Sequence, residues 1–337
     1  MTPTSLPYGI VLLCGILLSA CLYLFSVRRI GLSLLRAAAG FLAGLLLAFV
    51  FAKALYVFLN YTSLKEYGLR KWIRLAPEEF SFVTGGIGFC LGTLCVWFGN
   101  PKALSAAADR LASPGCLLAA CLRFGEIWLG QLGLADTYSI GLPDIESGSL
   151  LARFPFAVPD AWNYWYPALS TLSSLLILLV GGYALYLRKK QDHALGDPPG
   201  MVFETSAFLL CAVRFFLELM RMQCLIFYFV HVDQVLCALV MAALMIHAGL
   251  RVRKSTGRFP LVYPILLVLC FALNGTVQYL MDKPWQFEPL LPENVFAWIS
   301  DNLSAFGWSV LLLTSVLPVV LFFLLQRKVR SAPAGNG

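Results

Sequence analysis

Residues 302–326 read NLSAFGWSVLLLTSVLPVVLFFLLQ, a run without one charged side chain, and Arg327, Lys328 and Arg330 follow it at once. About 20 helical residues cover a hydrocarbon core of roughly 30 Å, so this run is long enough to cross a membrane. Residues 1–27, 80–101, 161–187 and 259–281 are equally free of charge. Four more apolar stretches are interrupted by ions: 37–60 by Lys53, 114–134 by Arg123 and Glu126, 202–222 by Glu204, Arg214, Glu218 and Arg221, and 229–250 by Asp233. Together they predict an all-α, polytopic integral membrane bundle of about nine transmembrane helices. The period-two alternation of a membrane β-barrel is absent. Composition agrees: 59% of the chain is apolar and 13% charged, where a soluble domain carries about 25% charge. A soluble globular enzyme, a disordered tail protein and a collagen are excluded.

The net charge of +7 is a record of topology, and no nucleic-acid partner is expected. Alternate turns collect Arg28, Arg29 and Arg36; Lys102 and Arg110; Arg188, Lys189 and Lys190; Arg251, Arg253, Lys254 and Arg258; and Arg327, Lys328 and Arg330. The other side holds Asp136, Asp144, Glu146, Asp160, Asp282, Glu288, Glu293 and Asp301. The positive-inside rule therefore orients the chain N-out and C-in. The mixed loop 61–79 is expected to lie on anionic headgroups, and Ala135–Asp160 reads as an outer surface loop or re-entrant cap. A break near Gly257–Phe259 separates residues 1–258, whose spans contain ions, from 259–337, whose two spans contain none. The 10 cysteines include no C-x-x-C and read as small buried apolar residues. Leu18-Ser19-Ala20-Cys21 has the form of a lipobox, but no basic residue precedes it and the apolar run continues through Val27, so it is not read as a signal.

Ions within the spans are the informative residues, because a charge in hydrocarbon is costly and faces a bundle interior. Arg214, Glu218 and Arg221 are spaced i, i+4, i+7 and share one helical face; Arg123 and Glu126, at i, i+3, share another. Brought together, the two faces make a chamber of three arginines and two glutamates. Its one net positive charge calls for an anionic ligand, and the planar guanidinium fork suits phosphate. The competing reading is a set of interhelical ion pairs that locks the bundle. Lys53 is a lone cation in the second span and reads equally as snorkelling to the outer interface. His231-Val232-Asp233 offers two metal ligands without a third, so no metal site is expected. Thr84-Gly85-Gly86-Ile87-Gly88 serves either the approach of a lipid headgroup or close helix packing.

These segments, in this order, resemble bacterial prolipoprotein diacylglyceryl transferase over roughly residues 8–255. Arg214-Phe215-Phe216-Leu217-Glu218-Leu219-Met220-Arg221 is similar to the family's F-R-x-x-x-E-x-x-R, and Gln234 to the glutamine that follows it. Arg123-Phe124-Gly125-Glu126-Ile127-Trp128-Leu129-Gly130-Gln131 resembles R-x-G-N-F-x-N-x-E. Phe80–Gly88 resembles M-S-x-H-G-G-x-x-G, Lys53–Val57 resembles R-x-G-Y-V, and Tyr8-Gly9 resembles the first span. Thr84 stands at the family's histidine, Glu126 and Leu129 at its asparagines, Gln131 at its glutamate and Lys53 at its arginine. The last two spans are additional.

The resemblance implies a multi-pass protein of the bacterial cytoplasmic membrane with no cofactor. It implies transfer of the diacylglyceryl group of phosphatidylglycerol to the lipobox cysteine of a preprolipoprotein signal peptide. Arg123, Arg214 and Arg221, with Tyr8, Lys53, Thr84, Gly85 and Gly86, are then the substrate-binding residues. Glu126, Arg214 and Glu218 are the catalytic ones, Glu126 being the one new carboxylate available for the thiol's proton. The alternatives are a non-catalytic phospholipid- or lipoprotein-binding relative and a membrane transporter of a small anion.

Overall fold

The computed structural model describes residues 5–61, 65, 79–130, 145–150, 152–159, 164–193, 198–218, 220, 226–227, 230–290 and 292–331. Arg221, most of the 61–79 loop and part of Ala135–Asp160 lie outside the described residues. Each of the nine apolar stretches includes a helix among the described residues. In chain order these are α1 (Ser5–Arg29), α2 (Leu34–Leu59), α3 (Phe82–Leu94), α4 (Pro101–Gly130), α5 (Leu169–His193), α6 (Met201–Glu218), α7 (Val232–Thr256), α8 (Val262–Asp282) and, after the short α9 (Glu293–Asp301), α10 (Leu303–Ser331). Six of them, α1, α2, α5, α7, α8 and α10, are long and apolar enough to cross a membrane. The chain is thus an all-α bundle of the multi-pass membrane kind. Its outer faces are apolar: Leu35 is 82% exposed, Phe58 78% and Leu179 69%. The segment from α3 through the 3₁₀ turn Cys95–Trp97 is shorter than these six, and α4 and α6, also outside the six, each carry buried ions.

Two pieces of β structure depart from the purely helical expectation. Strand β1 (Ala157–Pro159) pairs antiparallel with β2 (Trp165–Pro167), and β3 (Ile226–Phe227) with β4 (Val230–His231). Both lie in connections between helices. Pro159 and Pro167 lack the amide that a helix interior would require there.

The chain divides into two compact units, Met1–Cys237 and Ala238–Gly337, so the division falls within α7; the sequence places its break later, after residue 258. In the first unit α4 is central. It packs against α1, α5 and α6, while α2 packs against α3. Asp109 of α4 accepts from the backbone N–H groups of Gly200 (2.7 Å) and Phe203 (2.9 Å) and from Gln191 Nε2 (3.2 Å). It thereby caps the start of α6 and ties in α5. The next residue, Arg110, meets Asp192 of α5 with both terminal nitrogens, at 3.1 and 2.5 Å. In the second unit α8 packs on α10, and Asn274 Nδ2 donates to Thr314 Oγ1 across that contact at 2.8 Å.

Helices α2 and α3 approach each other closely. A Cβ on Gly92 would lie 2.6 Å from the carbonyl oxygen of Ala43, and one on Gly88 would strike the carbonyl of Leu47. Small residues at four-residue spacing let two apolar helices approach backbone to backbone, which in lipid supplies packing that the hydrophobic effect does not. Phe41 of α2 meets Phe89 of α3 edge-on at 5.4 Å beside them. This close approach matters for the site, because the start of α3 is thereby held against α2: the N–H of Ser81 donates to the carbonyl of Ala52 at 3.1 Å.

Gly88→Val or Gly92→Val should each destabilise the protein by about 1–3 kcal/mol through overpacking. Gly182→Ala on α5, where a Cβ meets nothing within 4 Å, should leave thermal unfolding in detergent unchanged or raise its midpoint.

Candidate functional site

The site is built on five helix segments of the first unit. On α6, Arg214 is 4% exposed and Glu218 fully buried, and their i, i+4 spacing brings Arg214 Nη2 to 2.8 Å from Glu218 Oε2. The first turn of α7 adds Asp233, 3% exposed, whose Oδ2 lies 3.1 Å from the same Nη2. Asp233 also accepts from the Phe82 N–H at 3.2 Å and, in a short hydrogen bond, from Ser81 Oγ. Ser81 is the N-cap of α3: its extended backbone turns the chain into the helix, and its Oγ accepts from Thr84 N at 3.2 Å. Asp233 therefore sits at two helix starts, where backbone N–H groups are available and the helix dipole favours an anion.

From α4 come Arg123, 3% exposed, and Glu126, which form a short i, i+3 ion pair. The two arginines meet through an aromatic ring. Arg214 Cζ lies 5.3 Å and Arg123 Cζ 5.9 Å from the centroid of Phe82, both within the reach of a cation–π contact. Tyr8 of α1 lies against the same stretch of α4. Gly125 leaves room for its ring, since a Cβ there would be 2.8 Å from Tyr8 Cδ2, and the phenol interacts electrostatically with Glu126 and Arg123. So the structure brings Tyr8, Arg123, Glu126, Thr84, Arg214 and Glu218 into one buried polar region.

The remaining residues singled out in the sequence are placed differently. Lys53 is not a lone cation reaching for an interface. It is 9% exposed, forms a short ion pair with Glu79, and lies 4.8 Å from the Tyr56 ring and 5.4 Å from the Phe80 ring. Gly85 faces α2, its would-be Cβ 3.2 Å from that of Ala52, whereas a Cβ on Gly86 would meet nothing within 4 Å. The Gly-Gly segment is thus split, with Gly85 in helix packing and Gly86 open. Asp233, weighed in the sequence as half of a metal pair, is instead a ligand of Arg214. His231 Nδ1 lies 3.1 Å from the carbonyl oxygen of Glu218. Among the described residues no three His, Cys, Asp or Glu side chains gather as metal ligands.

The electrostatics change accordingly. The chamber expected to hold a net positive charge contains, among the described residues, Arg123 and Arg214 against Glu126, Glu218 and Asp233. Formal charge balance alone does not call for an anion. Arg214 Nε and Nη1 are nevertheless buried without a hydrogen-bond partner among the described residues, and so is Thr84 Oγ1. Buried donors of this kind cost about 1–3 kcal/mol each when left unmade, and more on a charged group. An oxyanion satisfies both kinds of donor.

Comparison of the chain with protein-family models, curated proteins and solved structures finds no match.

The buried Lys53–Glu79 pair makes a clear test of these electrostatics. Glu79→Gln removes the carboxylate from a lysine in a low-dielectric site and should cost about 3–5 kcal/mol. The double change Lys53→Met with Glu79→Leu should recover most of it, because no charge is then left to desolvate. Chemical or thermal unfolding of the three proteins in one detergent reads the difference.

Proposed function

We propose that this chain is a divergent transferase that moves the diacylglyceryl group of phosphatidylglycerol to the lipobox cysteine of a prolipoprotein in a bacterial cytoplasmic membrane. In this reading nine helices span the bilayer, N-out and C-in, and the site lies in the outer half. The observation that carries the proposal is the buried Arg214, which shares the Phe82 ring with Arg123 and has two nitrogens lacking hydrogen-bond partners among the described residues; Thr84 Oγ1, in the first turn of the helix that Phe82 starts, is likewise buried without one. A phosphodiester offers the acceptor oxygens that such a group of donors requires.

The chemistry is a displacement at carbon. The thiolate sulfur forms a bond to the glycerol carbon that bears the phosphate. The carbon–oxygen bond breaks, and its electron pair leaves on glycerol-1-phosphate. Negative charge accumulates on the departing phosphate, where Arg123 and Arg214 act. Glu218 orients Arg214. The thiol's proton passes to a carboxylate, and Glu126 is assigned that role. Removing a charge-assisted contact from a low-dielectric site should lower transfer by roughly 30–1,000-fold, so Arg123→Ala and Arg214→Ala should each do so while the protein still inserts. Arg→Lys should recover part of the loss. Diacylglyceryl transfer to a lipobox peptide, read as mass gain with purified protein in phosphatidylglycerol, is the measurement. Wild-type rates in both alanine variants remove these arginines from the site.

A second reading, a lipid-binding relative without turnover, is favoured by one observation: the Glu126 carboxylate is engaged by Arg123. Glu126→Gln separates the two. If Glu126 takes the proton, single-turnover transfer falls about 100-fold or more with phosphatidylglycerol binding retained. If it only neutralises Arg123, anionic lipid binds more tightly and any transfer keeps its rate.

A further inference from the structure

The carboxylate of Asp233 joins three things: the start of α3, the guanidinium of Arg214 and, through a ring, Arg123. We infer that Asp233 is the positioning residue of the site, fixing Arg214 to the first residues of α3 and thereby setting Arg123 against it. The inference rests on reading the two arginines as the groups that hold an anion.

Charge balance does not explain Asp233. Arg214 is already neutralised by Glu218 on its own helix, at 2.8 Å. A second buried carboxylate on the same cation adds desolvation cost with little further Coulombic return. What it adds is geometry. Its Oδ2 receives the Phe82 N–H at 3.2 Å and Arg214 Nη2 at 3.1 Å, and its other oxygen receives the Ser81 hydroxyl. The amide that starts α3 and the arginine on α6 are therefore held by one atom. Phe82 carries the constraint onward, because its ring packs against both guanidinium groups. With Nη2 occupied twice, the plane of Arg214 is fixed, and Nε and Nη1 are the nitrogens left without a hydrogen-bond partner among the described residues. Asp233 acts on Arg123 without touching it, which is why it is a positioning residue and not a catalytic one.

Arginine labelling tests this without requiring turnover. The full-length chain in phosphatidylcholine nanodiscs is treated with phenylglyoxal, and modification of Arg214, Arg123 and Arg110 is followed by peptide mass spectrometry. Asp233→Asn keeps the shape of the side chain but removes the charge that holds Nη2. It should raise the labelling rates of Arg214 and Arg123 by roughly threefold or more. Arg110, bonded to Asp192, should stay at its wild-type rate. Asp233→Glu should return both rates part of the way. Unchanged labelling of Arg214 overturns the inference, and a rise at Arg214 without one at Arg123 overturns the coupling through the ring. If Arg110 rises too, the variant has lost its fold, and Phe82→Leu decides: it removes the ring but leaves the carboxylate, the backbone amide and the Arg214 bond in place, so Arg123 labelling must rise while Arg214 and Arg110 stay near their wild-type rates, and a wild-type rate at Arg123 or a rise at Arg214 as large as that at Arg123 refutes the proposal. A wild-type chain that transfers no lipid yet shows the expected labelling pattern sinks the proposed function and leaves the assignment of Asp233 standing.

Discussion

An arginine sealed into an apolar bundle has to bring its partners with it, and in this protein the arrangement around Arg214 follows from that constraint. The side chain is 4% exposed, and taking its charge out of water costs several kcal/mol even after relaxation. Glu218 supplies a counter-charge from the same helix and Asp233 one from the next. Because Asp233 is also bonded to Ser81 and the Phe82 N–H, the arginine is held against α3 as well. Three segments distant in sequence are thus fixed by one carboxylate.

That carboxylate could not tie Arg214 to α3 if α3 did not start where it does. Small residues along α2 and α3 let the two backbones approach, and the Ser81 N–H to Ala52 carbonyl bond pins the entry of α3 to α2. Next to Ala52 in sequence, Lys53 finds Glu79. A second buried ion pair therefore stands beside the first residues of α3, on the α2 side, while Asp233 holds the α7 side. Phe82 projects from this doubly anchored start, so its ring is a fixed surface against which both guanidinium groups rest. Packing in the α2–α3 contact and electrostatics at the site are in this sense one structure.

How much of this was legible in the sequence follows from the range of each interaction. The helices were, because uncharged runs such as 302–326 and 161–187 leave no other way to satisfy the backbone in hydrocarbon. The pairs Arg214–Glu218 and Arg123–Glu126 were, because i, i+4 and i, i+3 spacing fixes neighbours on one helix. Asp233 was noticed as an ion in an apolar stretch and as half of an incomplete metal pair, not as a partner of Arg214. Its partners Ser81 and Phe82 lie 152 and 151 residues earlier, and no local pattern encodes such a contact. Glu79 was counted in a mixed loop, and its contact with Lys53 spans 26 residues. The one available local signal was Ser81, a hydroxyl residue just ahead of an apolar run, which marks a helix start and hence free amides. The short strands were missed because pairs of two or three residues leave no period to read.

The surplus of carboxylate over arginine among the described residues bears on the proposed chemistry. A bound phosphodiester adds another negative charge, so the site as described does not balance with all three acids ionised. The thiol that enters must also lose a proton. On the proposed reading these two requirements answer each other: a carboxylate that takes up the proton lowers the negative charge of the site as the phosphate develops its own. The three acids are not equivalent in this respect. Glu218 and Asp233 share Arg214, and Asp233 in addition accepts from Ser81 and Phe82, so protonating either breaks a network that fixes the arginine. Glu126 is the most exposed of the three, its side chain at 16% against 0% for Glu218 and 4% for Asp233, and its ion pair lies within one turn of α4. On the proposed reading its protonation loosens the pairing with Arg123, a contact within α4, and leaves the Asp233 bonds to Arg214, Ser81 and Phe82 in place. The pairing that makes Glu126 look like a simple counter-ion in the resting protein is therefore compatible with its acting as the acceptor, provided that proton uptake and the transfer of Arg123 to phosphate occur together.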